Sequence, residues 1–279
     1  MRHVLETVWA DEQGVPASDR GLAYGDGLFE TLRIAHGKPS LLDYHLRRML
    51  DGANRLAIPL TRDQLTGAVD SALVHFQSEF PQNCEGWILK MMLTRGSGGR
   101  GYLPPENPSP RLIISAHPLP APPDRSGVEV GIARSVLVVD PAIAGVKSLN
   151  RLAQVQASRE IQPGWFDVLM CDSAGCLIEG TRTNLFCLLG NTWVTPPVSS
   201  LAVAGVARAA LIDHLNTQNA PVEEYPLSMA MLYRRDFEGL VLTNSVMGAL
   251  PVKRIDRFQL PISDRLATIV SFLSDAVGS

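Results

Sequence analysis

The run Pro118-Leu119-Pro120-Ala121-Pro122-Pro123 constrains this chain more than any other stretch of its sequence. Each proline fixes φ and removes a main-chain donor, so prolines this dense make a stiff, extended connector that neither a helix nor an interior strand tolerates. The chain of 279 residues is therefore expected to divide into a smaller part over 1–118, a connector over 119–123 and a larger part over 124–279. There is enough chain for a sizeable core in each part. A net charge of −3 leaves no electrostatic footprint for nucleic acid or an anionic membrane. No apolar stretch has the length of a membrane span, and MRHVLETVWADEQG lacks the apolar core of a signal peptide. The expected address is the cytoplasm. Cys84, Cys171, Cys176 and Cys187 lack the spacing of a metal site and read as reduced structural thiols.

Patterning gives a mixed α/β (α+β) chain. Leu46, Met49, Leu50, Ala53 and Leu56 follow helical spacing, with Asp43 as the expected N-cap, and Leu65, Val69, Leu73 and Phe76 carry a second helix. Strand-length runs cover Glu30 to Ile34, Trp87 to Thr94, Arg111 to His117, Val128 to Ala133, Phe166 to Cys171 and Leu240 to Thr243. Further helices are expected from Gly205 to about Thr217 and from Asp264 to Val277.

Several stretches carry chemistry. Ala144-Gly145-Val146-Lys147 precedes Leu149, Leu152 and Val155 at helical spacing, which predicts Lys147 at the mouth of a helix running to about Ile161. Apolar walls and the positive helix end would favour a neutral amine, a nucleophile for aldehydes. In SDRGLAYGDGLFETLR the glycines permit a tight path that brings Tyr24 and Thr31 to a cavity wall, or serve as a plain connection. Arg47 and Arg48 lie on different faces of their helix, so one can face inward and meet an anion while the other stays solvated. The loop RGSGGRGYLPP offers Arg95 and Arg100 to a carboxylate. Glu179, among apolar strands, needs a cationic partner such as a protonated pyridine nitrogen or Arg182. Gly205 opens a helix whose free N–H groups, with those of Asn244 and Ser245, make a seat for phosphate.

Taken together, SDRGLAYGDGLFETLR, YHLRRM, KSLNRLAQV, IEGTRTNLF, AGVAR and LTNSVMGALPV, in this order, resemble the fold-type IV pyridoxal-phosphate enzymes. That group holds the branched-chain and D-amino-acid aminotransferases and the aminodeoxychorismate lyases. The resemblance implies two α/β domains with the cofactor in the interdomain cleft, a homodimer, and no metal. It implies that Lys147 forms the Schiff base and shuttles protons, and that Glu179 pairs with the pyridine nitrogen. It assigns the phosphate to Arg48, whose HxxR pattern starts at His45, to the N–H groups of Val206 and Ala207, and to Asn244 with Ser245. The family often has a hydroxyl residue where Ala207 stands, so that contact would come from backbone alone. RGSGGRGY and KSLNRL look most like the aminodeoxychorismate lyases, which implies elimination from 4-amino-4-deoxychorismate to 4-aminobenzoate and pyruvate. Thr31 would then stand near the reacting carbon, with Tyr24, Arg95 and Arg100 on the substrate. A D-amino-acid or branched-chain aminotransferase is the alternative.

Overall fold

The computed structural model describes residues 5–81, 84–99 and 101–279. Two compact units form: Met1–Pro120 with Val146–Asn150, and Ala121–Gly145 with Arg151–Ser279. The Lys147 segment thus belongs with the N-terminal residues although it follows the proline run.

In the first unit, β1 (Glu6–Trp9), β2 (Gly27–Ala35), β3 (Lys38–Pro39), β4 (Gly86–Thr94) and β5 (Arg111–Pro118) form a sheet in the order β1-β5-β4-β2-β3. Apart from the parallel β1–β5 pair its neighbours run antiparallel. A short helix, α1 (Arg20–Tyr24), precedes β2, and α2 (Leu42–Arg55) and α3 (Arg62–His75) follow β3. Strand alternation sends Leu28, Glu30, Leu32 and Ile34 to the buried face. Helix α2 lays His45, Leu46, Met49, Gly52 and Ala53 inward at helical spacing. Gly52 lets α2 approach β2, since a Cβ there would meet Leu28 Cδ1 at 3.0 Å. Asp43 is not the N-cap of α2: Leu41 holds that position in a left-handed conformation, and Asp43 sits in the first turn, paired with Arg62. Helix α3 opens with a full capping box between Thr61 and Gln64.

In the second unit come β6 (Val128–Ile132), α4 (Leu152–Ser158), β7 (Asp167–Cys171), β8 (Cys176–Gly180), β9 (Asn184–Leu189), β10 (Thr192–Thr195) and α5 (Val206–Thr217). They are followed by β11 (Val222–Glu224), β12 (Leu227–Ser228), β13 (Phe237–Asn244), β14 (Gly248–Ile255), β15 (Phe258–Gln259) and α6 (Leu266–Val277). The sheet order is β11-β10-β9-β13-β14-β6-β7-β8-β12, with β15 beside β14. One core gathers Leu185, Cys187, Leu240, Leu242, Leu250 and Val252, so alternate residues of β9, β13 and β14 share that face. Among the described residues no helix is long and apolar enough to cross a membrane.

The helix expected after Lys147 is shorter and starts later. It covers Leu152–Ser158 and buries Gln154 and Ala157, while Leu152 and Val155 are 70% and 52% exposed. The periodic apolar residues are on its outer side.

Candidate active site

Lys147 is held by strand pairing rather than by a helix start. Its carbonyl accepts the Phe29 N–H at 3.0 Å, Leu149 N–H donates to Gly27 O at 3.0 Å, and Ser148 bridges Leu28. The segment is an added edge on β2, so the helix dipole plays no part at Lys147. The ammonium lies 4.1 Å from the centre of the Phe29 ring, a cation–π contact that replaces water on one side of the charge. Thr31 follows Phe29 at the two-residue period of β2 and shares its half-buried face.

The opposite face of β2 carries Glu30, only 1% exposed. Arg48 donates from Nε to Oε1 at 2.7 Å and from Nη2 to Oε2 at 2.6 Å, and His45 Nδ1 lies 2.6 Å from Oε2. Burial alone would raise the Glu30 carboxyl, but Arg48 and His45 outweigh it and hold it down at about 2. Burial pushes His45 below its ordinary value by more than Glu30 lifts it. The contact itself assigns a proton to Nδ1, because the ionised carboxylate facing it needs a donor. The His45 Nε2 is buried with no hydrogen-bond partner among the described residues. Arg48 is thus the inward member of the arginine pair. Its partner Glu30 was readable in advance: a carboxylate in register with Leu28, Leu32 and Ile34 on a buried strand face demands one.

In the first unit Arg95 is not held out from an open loop: its guanidinium is engaged within the fold. It is 6% exposed, donates from Nε and Nη2 to Asp26 at 2.8 and 3.0 Å, and donates to the carbonyls of Ala57 and Leu56 at 2.9 and 2.7 Å. Asp26 is shared with Arg20, whose Nε donates to it at 2.8 Å and whose other nitrogens reach the carbonyls of Gly101 and Tyr102 at 3.1 and 2.8 Å. Tyr24, exposed at the end of α1, sets its ring edge-on to Tyr102 at 5.4 Å. Arg100 lies outside the described residues.

In the second unit Glu179 is 3% exposed on β8. It accepts from the Val203 N–H at 3.1 Å, with the Gln154 carboxamide at 3.4 Å. Arg182 does not pair with it: that guanidinium donates to Phe166 O at 2.7 Å and stacks over the Phe166 ring. Val203 O accepts from Asn184 Nδ2 at 3.0 Å, so the main chain of one residue, Val203, ties Glu179 and Asn184 to the start of α5. Asn184 Oδ1 lies where a Cβ on Gly205 would come within 2.0 Å, which restricts this N-cap to glycine. Gly205 offers no side-chain cap and its carbonyl first meets Ala209 N–H. The N–H groups of Val206, Ala207 and Arg208 are left without an intrahelical acceptor, an anion seat by geometry. Asn244 turns its Oδ1 onto the N–H groups of Val246 and Met247 at 3.0 and 2.8 Å, fixing the β13–β14 turn that presents the half-buried Ser245. Thr243 on β13, which patterning alone did not single out, is buried with its hydroxyl unpartnered among the described residues.

Comparison with known proteins finds relatives along nearly the whole chain. The aminodeoxychorismate lyase of Vibrio harveyi is 31% identical over 86% of this chain and 87% of its own length. The branched-chain-amino-acid aminotransferase of Escherichia coli K12 is 26% identical over 90% and 83%. The crystal structure of the Pseudomonas aeruginosa 4-amino-4-deoxychorismate lyase superposes with a TM-score of 0.86 at 37% identity, covering 96% of this chain and 97% of that one. The family model for amino-transferase class IV matches residues 27–255, and the chain belongs to that family.

Proposed function

We propose that the chain is a pyridoxal-phosphate-dependent lyase that converts 4-amino-4-deoxychorismate to 4-aminobenzoate and pyruvate. The observation that carries this reading is the 37% identity, over nearly the whole chain, to a solved 4-amino-4-deoxychorismate lyase. The family is pyridoxal-phosphate dependent, and the donor set fits that group. It needs an amine, a carboxylate for the ring nitrogen and donors for the phosphate. Lys147, the buried Glu179, and Arg48 with the open turn at Val206 and Ala207 are of those kinds. When bound, the cofactor supplies an aldehyde that takes an amine and a ring that accepts electrons.

The residues then divide the work. Arg48, the N–H groups of Val206 and Ala207, and the Asn244-Ser245 turn hold the phosphate. Glu179 keeps the ring nitrogen protonated, which deepens the electron sink. Lys147 takes the proton from C4 of the substrate as the enolpyruvyl carbon–oxygen bond breaks; enolpyruvate leaves and becomes pyruvate on taking a proton at its methylene carbon, and aromatisation of the substrate's own ring drives the elimination. Thr31 stands near the reacting carbon, and Tyr24 and Arg100 bind substrate. The reading includes a homodimer in the cytoplasm.

The test is release of pyruvate and 4-aminobenzoate from 4-amino-4-deoxychorismate by the cofactor-loaded protein with no oxo acid added. Steady release supports the lyase. A second reading, an aminotransferase, is favoured by the Escherichia coli relative. No release, together with amino transfer from D-alanine or a branched-chain amino acid to 2-oxoglutarate, would replace the first reading with the second.

A further inference from the structure

We propose that Glu30 is a positioning residue, acting through Arg48 to fix the orientation in which that arginine meets the cofactor phosphate; this rests on the phosphate role of Arg48 given above. The two contacts from Nε and Nη2 to separate carboxylate oxygens, 2.7 and 2.6 Å, hold the guanidinium along one edge. A fork held on two points cannot roll about its long axis, so its plane is set before any ligand arrives. His45 adds a third contact to Glu30 at 2.6 Å. His45 and Arg48 are three residues apart on α2, hence on one face, and both reach the same strand residue.

The electrostatics separate this role from simple charge balance. The ionised Glu30 carboxylate balances the Arg48 guanidinium. If Glu30 served only to neutralise Arg48, removing it would free positive charge and strengthen anion binding. If it sets geometry, removing it weakens anion binding, because the guanidinium must then be ordered at the moment of binding. The orphaned His45 Nε2 supports the geometric role. Among the described residues that buried ring nitrogen has no partner, while the other ring nitrogen braces Glu30.

The experiment titrates full-length apo-protein with pyridoxal phosphate and with pyridoxal, which lacks the phosphate, in wild type, Glu30→Asp, Glu30→Gln and Arg48→Ala. Circular dichroism checks each fold. Glu30→Asp keeps the charge but shortens the reach, so it isolates geometry; it carries the comparison alone should Glu30→Gln not fold. Expected is a roughly tenfold or greater loss of pyridoxal-phosphate affinity in both Glu30 variants, the scale of one charge-assisted hydrogen bond, with pyridoxal affinity unchanged. Unchanged or tighter pyridoxal-phosphate binding overturns the inference, and so does an equal loss for both ligands, which would make Glu30 a support of the fold alone. If Arg48→Ala loses phosphate-dependent affinity while the Glu30 variants keep it, only this inference falls. If Arg48→Ala keeps it, the phosphate role of Arg48 falls first and this one with it.

Discussion

Asp26→Asn should unfold the first unit more easily, by an amount the geometry sets. The carboxylate takes hydrogen bonds from two guanidiniums, Arg20 and Arg95, at 2.8 to 3.0 Å, and both arginines are almost fully buried. An asparagine keeps the shape but leaves two buried cations without a counter-charge and turns one acceptor into a donor facing donors. Breaking a buried ion pair from one side costs about 3–5 kcal/mol. Main-chain carbonyls still accept from both arginines, which places the loss near the lower end, about 3 kcal/mol. Urea denaturation of the apo-protein at matched midpoints measures it. The pH dependence provides a second check. Burial would raise the Asp26 carboxyl, but Arg95 and Arg20 bring it below its ordinary 3.8. A carboxyl lowered by folding stabilises fully above its unfolded value and loses that contribution as pH falls through the folded one. The gap between wild type and variant should therefore stay constant at neutral pH and narrow below about 4. A gap under about 1 kcal/mol at pH 7, the size of an exposed pair, would refute the reasoning, as would one that does not narrow in acid.

Two shorter predictions use other parts of the structure. Lys147→Ala keeps the main-chain contact to Phe29 but should abolish both turnover and the visible absorbance of the cofactor-loaded protein; survival of either would remove Lys147 from its assigned role. Thr243→Val removes a buried hydroxyl that has no partner among the described residues. The apo-protein should gain about 1 kcal/mol in a thermal melt, and a loss would mean that the hydroxyl is satisfied in solution.

What the sequence made legible followed locality. The helix at Gly205 and the strand that ends at Asn244 depend on residues within a few positions, and each is found where patterning put it; which of Arg47 and Arg48 faces inward was left open by patterning and is set by Glu30 on β2. The setting of Lys147 was not legible, because its strand partner Phe29 lies far away in sequence and periodicity has no access to such a pairing. Leu152 and Val155 misled for a related reason: helical spacing reports a face, not which side the core occupies. The glycine-rich loop offers Arg95 to a ligand, but Asp26 and the Leu56-Ala57 carbonyls converge on it from two separate segments. Glu30 was the avoidable omission, since the alternation of β2 already put a carboxylate on its buried face.

The return of Val146–Asn150 to the first unit bears on how the protein is made. A ribosome that has released only the residues up to the proline run has not yet produced the partner for Phe29 N–H and Gly27 O, so β2 still lacks that edge. The N-terminal unit cannot be completed until residue 150 has emerged. Its assembly is therefore obliged to wait for chain that lies beyond the start of the second unit, and a fragment ending at the prolines would be born with an unpaired, association-prone strand edge.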